Sequence, residues 1–198
     1  MMTPALKQFI KDNITLIDRD EYYELYCKLN DTFKYEATSR TKELTEFLID
    51  CNVNPLEYMP SVPQAYLCRS DLIDHIVIPE NVDLVERAAF MNSGLKSVSF
   101  SDRSKCTHII AYAFQGCHRL ETVILPEFCT HIGTSAFRDC CYLQDVVIPT
   151  KDKIAFSDDA FEYSDMVVIH CYPGTPVEEY CINHDINYKF IEPEKRKW

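Results

Sequence analysis

The chain has 198 residues, enough for one domain or for one elongated array with a cap. Its 46% hydrophobic and 26% charged residues are those of an ordinary folded protein and exclude a disordered chain. A net charge of −11 disfavours binding to nucleic-acid phosphates or to an anionic membrane surface, because both repel it.

The basic tail Lys195, Arg196, Lys197 is too short to reverse that charge. Four glycines in the whole chain argue against Gly-rich phosphate loops. The start, Met1-Met2-Thr3-Pro4-Ala5-Leu6-Lys7-Gln8, shows no apolar core of a signal peptide. No run of about 18 apolar residues occurs, so no membrane span and a cytoplasmic location are expected. Ten cysteines would form a disulfide framework in a secreted chain; without an export signal they are expected as reduced thiols. No Cys-x-x-Cys pair is present, which leaves a zinc ribbon or a thioredoxin-type motif unsupported.

Residues 1–58 are expected to be helical. Thr3 and Pro4 suit an N-cap and first helical position, opening a helix through Leu6, Phe9 and Ile10. Asp18 or Asp20 can cap a second, with Tyr22, Tyr23, Leu25, Tyr26 and Leu29 on its apolar face. A third runs from Ser39 to Cys51 through Leu44, Phe47 and Leu48. Such a piece serves either as a cap over the first turn of a repeat array or as a separate partner-binding module.

Residues 59–171 carry a repeat of about five turns. The pairs Ala65-Tyr66, Ala89-Phe90, Ala113-Phe114, Ala136-Phe137 and Ala160-Phe161 recur at steps of 24, 24, 23 and 24 residues. Most are followed by a Leu and a β-branched run: Leu72 to Ile76-Val77-Ile78-Pro79, Leu95 to Val98-Ser99-Phe100, Leu120 to Val123-Ile124-Leu125-Pro126, and Leu143 to Val146-Val147-Ile148-Pro149. A compressed fifth is Met166-Val167-Val168-Ile169. The runs alternate as strands with one buried face, and proline ends three of them because it cannot donate to a ladder. A smaller apolar signal, Val85, Ile109, Ile132 and Ile154, marks a short second segment before a helical or 3₁₀ turn bearing the aromatic. Stacking would place Phe90, Phe114, Phe137 and Phe161 in an internal column begun by Tyr66, with the strands pairing as a parallel sheet.

The order Ile-x-Ile-Pro, Ile-Gly-x-x-Ala-Phe, Cys-x-x-Leu resembles BspA-like (Treponema pallidum type) leucine-rich repeats, the fullest copy being Ile132-Gly133-Thr134-Ser135-Ala136-Phe137-Arg138-Asp139-Cys140-Cys141-Tyr142-Leu143. The second repeat departs, with Ser101 in place of the Pro and Asn92-Ser93 in place of the Cys. The resemblance implies an α/β leucine-rich-repeat solenoid over roughly residues 62 to 191. It also implies that Tyr172-Pro173-Gly174-Thr175-Pro176 through Tyr188-Lys189-Phe190 form a closing unit. Within residues 172–198, Pro176 to Cys181 reads as a helix and Asn187 to Ile191 as a last strand.

Several residues invite a chemical reading. Cys106-Thr107-His108 and Cys129-Thr130-His131 lie one period apart, so stacking brings them close and raises a Cys/His metal site. The competing expectation is a buried apolar Cys beside an exposed His. Cys117 and Cys140, with Ser164 approximately, share one repeat position and are expected in packing, while Cys141 points elsewhere and is partly exposed. Asp158-Asp159 suit the capping of a short turn. No metal, cofactor or catalytic residue is expected.

What remains is the outward side of the strands, with His75, Val77, Lys96, Ser97, Ser99, Glu121, Thr122, Ile124, Gln144, Asp145 and Val147. Val77, Ile124 and Val147 fall in one column, broken by Ser99. An apolar strip rimmed by polar groups suits a protein partner. The expected contact residues are His75, Val77, Ser99, Thr122, Ile124, Asp145 and Val147, in a non-enzymatic interaction module. The alternative is an acidic inhibitor that blocks a basic nucleic-acid-binding site of a target enzyme.

Overall fold

A computed structural model describes residues 54–71 and 73–192, with Pro4, Ala5, Gln8, Asp12, Thr45 and Leu48. Those six isolated positions have helical backbone, and Thr45 and Leu48 are buried. The remainder of the helices expected before residue 54, and Leu72, lie outside the described residues.

From residue 61 the chain winds in six turns, most of which lay down a short strand and then a longer one. They are β1 (Ser61–Val62) and β2 (His75–Ile78), β3 (Leu84–Val85) and β4 (Ser97–Phe100), β5 (His108–Ile109) and β6 (Thr122–Ile124). There follow β7 (His131–Ile132) and β8 (Asp145–Val147), then β9 (Ala155–Phe156) and β10 (Val168–Cys171). In the last turn helix α1 (Pro176–Asn183) holds the chain position of the short strand, before β11 (Asn187–Phe190). The expected count of about five turns is therefore one short, because a helix replaces the short strand in the sixth and hides its periodicity.

The strands assemble into two parallel sheets, a six-stranded one in the order β11-β10-β8-β6-β4-β2 and a five-stranded one in the order β1-β3-β5-β7-β9. Register keeps like residues together: Ile76 faces Val98, Val98 faces Val123, Val123 faces Val146 and Val146 faces Ile169. In the short strands Val62, Val85, Ile109 and Ile132 continue to Phe156. The last place in that row was expected for Ile154, which is buried two residues away.

The aromatic-bearing segment is a chain of turns and not the expected helical or 3₁₀ turn. Its alternate amides face different partners. The N–H groups of Ala88, Phe90 and Asn92 donate to the carbonyls of Ala111, Ala113 and Gln115 one turn on, while those of Ala89, Met91 and Ser93 donate back within the segment to Glu86, Ala88 and Phe90. This bonding goes with left-handed backbone at two places in each of the first four turns, and at one in the fifth. One row is Ala65, Ala88, Tyr112 and Ser135, the other Arg69, Asn92, Gly116, Asp139 and Tyr163, with φ from 49° to 68°. Left-handed residues at both ends stop any helix from propagating. Gly133 has a different duty. Its amide donates to the Ile109 carbonyl, and a Cβ there would sit 2.8 Å from the Ala111 nitrogen. Successive turns approach too closely at that point for a side chain.

The interior is a stack of rings. Phe90, Phe114, Phe137 and Phe161 lie nearly parallel at centroid spacings of 5.1, 5.1 and 5.2 Å. Tyr66 was expected to begin this stack, but it meets Phe90 edge-on at 6.1 Å and 90°. The backbone shows why. Leu67 donates to the Ala89 carbonyl as Phe90 does to that of Ala113, so Leu67 occupies the Phe position and Tyr66 the Ala position. At the far end Tyr180 of α1 stacks on Phe156 at 4.1 Å and leans on Phe161 at 6.3 Å, with its hydroxyl donating to the Ser157 carbonyl.

Candidate functional site

Alternation along the longer strands sends Ile76, Val98, Val123, Val146 and Ile169 into the core and leaves two outward rows on the six-stranded sheet. The first row is His75, Ser97, Thr122, Asp145, Val168 and Asn187; the second is Val77, Ser99, Ile124, Val147, His170 and Lys189. All seven residues expected to contact a partner thus fall on one face. They differ in access. Val77 is 56% exposed and His75 is exposed, Ser99, Thr122, Ile124 and Asp145 are half-buried, and Val147 is only 2% exposed. Val147 therefore leaves the contact set. It points outward, but the register sets Ile124 on one flank and His170 on the other, and two larger side chains shade a valine.

Polar contacts hold this face in shape. The His75 Nδ1 lies 2.7 Å from the Ser97 hydroxyl, and the His170 Nε2 lies 2.7 Å from the Asp145 carboxylate. At its edge the Lys96 ammonium donates to Asp74 at 2.7 Å, and the Arg119 guanidinium approaches the other Asp74 oxygen at 3.3 Å. The Lys96 hydrogen bond holds the Asp74 carboxyl below its usual range. Val168, His170 and Lys189 were missed in the sequence. The compressed Met166-Val167-Val168-Ile169 run carries a signal for Val168 and His170, because its alternation continues to Cys171, and the last strand carries one for Lys189.

The outward row of the five-stranded sheet is Leu84, His108, His131 and Ala155. Here the suspected Cys/His metal site does not assemble. Cys106 and Cys129 are fully buried, and their thiols point to the backbone carbonyls of His108 and His131 at 3.7 Å. The His108 ring turns outward to the Thr107 hydroxyl at 2.7 Å, with the His131 ring 5.6 Å away. The strand itself separates sulfur from imidazole. Burial pushes the Cys106 thiol up to about 12 and the Cys129 thiol to about 11, the opposite of an activated thiolate.

The other repeat cysteines work as hydrogen-bond donors. Cys117 donates to the Phe90 carbonyl at 3.0 Å and Cys140 to that of Phe114 at 3.2 Å. The Ser164 hydroxyl does the same for Phe137 at 2.7 Å, and Ser93 holds the position one turn before Cys117. Serine and cysteine are thus interchangeable there because each supplies one small donor. Cys117→Ser is expected to leave stability nearly unchanged, whereas Cys117→Ala should cost about 1–2 kcal/mol in denaturant melts. Equal stability of the two variants would reject the donor role.

Asp159 behaves as a turn cap. Burial would raise its carboxyl, but the Ser135 and Ser157 hydroxyls at 2.6 and 2.7 Å and the Ser135 amide at 3.1 Å outweigh it and hold the group below its usual range. Its neighbour Asp158 is fully solvated and reaches the His184 imidazole at 3.5 Å. Among the described residues no helix is long and apolar enough to cross a membrane.

A stack of short turns with two parallel sheets and a filled aromatic interior defines a parallel repeat solenoid. The BspA type leucine-rich-repeat region model matches residues 61–188 in six copies, and the chain belongs to that family. Neither the curated proteins nor the solved structures give a match.

Proposed function

We propose that this chain is a non-enzymatic protein-interaction module that binds a protein partner through the outer face of its six-stranded sheet. Repeats of this family point to protein interaction in general. The observation that carries the finer reading is the register-locked second row, where Val77 stands 56% exposed and Ile124 half-exposed between polar neighbours. A pre-ordered apolar strip with a polar rim loses little entropy on docking. His75, Ser99, Thr122 and Asp145 supply that rim, with His170 added and Val147 removed.

The residues that precede the first four longer strands are Asp74, Lys96, Glu121 and Gln144, so the acidic positions along this edge are interrupted by a lysine and followed by a neutral glutamine. That favours a protein partner over the acidic-inhibitor alternative, which calls for a contiguous acidic stripe, and over direct nucleic-acid or membrane binding. Residues 1–58 serve in this proposal as the cap of the first turn, with Leu48 buried in the same core as Leu56 and Met59. Cytoplasmic residence belongs to it too. Seven of the eight described cysteines are buried within the turns, a placement that suits a reducing compartment.

Ile124→Asp tests the face. The variant is expected to keep its melting behaviour within about 1 kcal/mol, because the side chain lies outside the core. It should lose the proteins that the parent chain captures from its native cell, identified by mass spectrometry. An unchanged set of captured proteins would move the interface off this sheet.

A further inference from the structure

We propose that His118, Asp139 and Cys141 form a surface site for a zinc-class divalent cation. The repeat itself builds the site. Gly116 and Asp139 share one place in successive turns, both left-handed, with Gly116 donating to the Arg138 carbonyl and Asp139 to that of Glu162. Two residues beyond each come His118 and Cys141, which therefore stand side by side on adjacent turns. Asp139 joins them from within the Cys141 loop.

The distances suit coordination. His118 offers Nδ1 at 3.6 Å from the Cys141 sulfur, and Asp139 offers Oδ1 at 3.4 Å from the same sulfur. The second imidazole nitrogen lies 3.9 Å from the other carboxylate oxygen, and one donor atom from each residue falls within 4.8 Å of the other two. A tetrahedral zinc with bonds of about 2.3 Å to sulfur and about 2.0–2.1 Å to nitrogen or oxygen separates such donors by about 3.5 Å. The Cys141 sulfur thus stands near its liganded spacing from both partners already, with the imidazole and carboxylate donors no more than 4.8 Å apart. Their backbone is held as well, since the Cys140 amide donates to the Ser164 hydroxyl oxygen at 2.9 Å and the Cys140 thiol donates to the Phe114 carbonyl.

Access and donor chemistry narrow the ion. Cys141 is the exposed thiol among the eight described cysteines, and the His118 and Asp139 side chains are 55% and 49% exposed. A thiolate with an imidazole selects zinc-class cations over magnesium or calcium, which take oxygen donors. Carboxylate and thiolate together neutralise a divalent charge, the thiol proton leaving to solvent as sulfur coordinates. Three protein donors leave a fourth position for water or for a ligand from a partner. The site uses no residue of the sheet face, so the two proposals stand apart.

Cobalt(II) is the probe, added to the full chain under a non-chelating reductant. The expected result is one equivalent bound with a thiolate-to-cobalt charge-transfer band, displaced by zinc. Cys141→Ser should abolish the band, and His118→Ala and Asp139→Asn should each weaken binding by more than about tenfold. Cys117→Ser should leave it intact. A folded chain, verified by circular dichroism, that gives no band at stoichiometric cobalt overturns the site. So does a band that survives Cys141→Ser, whether it arises from Cys27, Cys51 or a buried thiol.

Discussion

Phe114→Ala is expected to destabilise the chain by about 3–5 kcal/mol, the usual cost of emptying a buried aromatic position. Phe114 has no solvent exposure and lies between Phe90 and Phe137, each 5.1 Å away and tilted by 10° or less. The neighbouring turns cannot close the gap. Amides of Phe90, Phe114 and Phe137 are each tied to the next turn at 2.8 Å, and the sheet ladders fix the turns on two further sides. A cavity therefore persists where a looser core would collapse into it. Urea melts of parent and variant measure the difference, and a cost below about 1 kcal/mol would reject the stacked column.

Alkaline unfolding is the second large effect. Burial pushes Cys117, Cys129 and Cys171 up to about 11 and Cys106 and Cys181 to about 12, and it holds Cys140 well above its ordinary value. In the unfolded chain these thiols ionise near 9. Below that pH both states keep their protons and stability does not depend on these groups. Between about 9 and 11–12 the unfolded state loses protons that the folded state retains, so each thiol withdraws about 1.4 kcal/mol per pH unit. Six together overcome a typical stability of about 5–15 kcal/mol within roughly two units. Circular dichroism under reductant should show cooperative unfolding as pH rises through this window. In the double variant Cys106→Val with Cys129→Val, stability should fall less steeply with pH, by about 2.7 kcal/mol per unit. An unchanged slope would contradict the buried, neutral thiols.

The longer strands and the phenylalanine column were legible because both depend on a period that the residues display directly. Three features were not. The first turn shifts by one residue because Ala65-Tyr66 imitates the Ala-Phe pair, and only the Leu67 amide bonded to Ala89 reveals that Tyr66-Leu67 is the true equivalent. Val147 obeys the same alternation as Ile124, so its burial comes from neighbours on other turns and not from its own strand. The closing helix and last strand were legible, but their place as a sixth turn was not, because α1 stands where the other turns have a two-residue strand.

The histidines and cysteines make the same point in reverse. Cys106 with His108 and Cys129 with His131 have a conspicuous spacing, yet the strand turns each pair's side chains apart. His118 and Cys141 are also 23 residues apart, and that shared period was the one available hint. Their convergence with Asp139 depends on left-handed backbone at Gly116 and Asp139, which composition does not announce for an aspartate.

Methyl-to-methyl nuclear Overhauser contacts in a chain labelled at Ile, Leu and Val test the register of the solenoid most directly. A parallel stack in this register predicts one unbroken series linking Ile76, Val98, Val123, Val146 and Ile169, and a second linking Val62, Val85, Ile109 and Ile132. Contacts that instead join Val123 to Val147, or a series that stops between two turns, would contradict it.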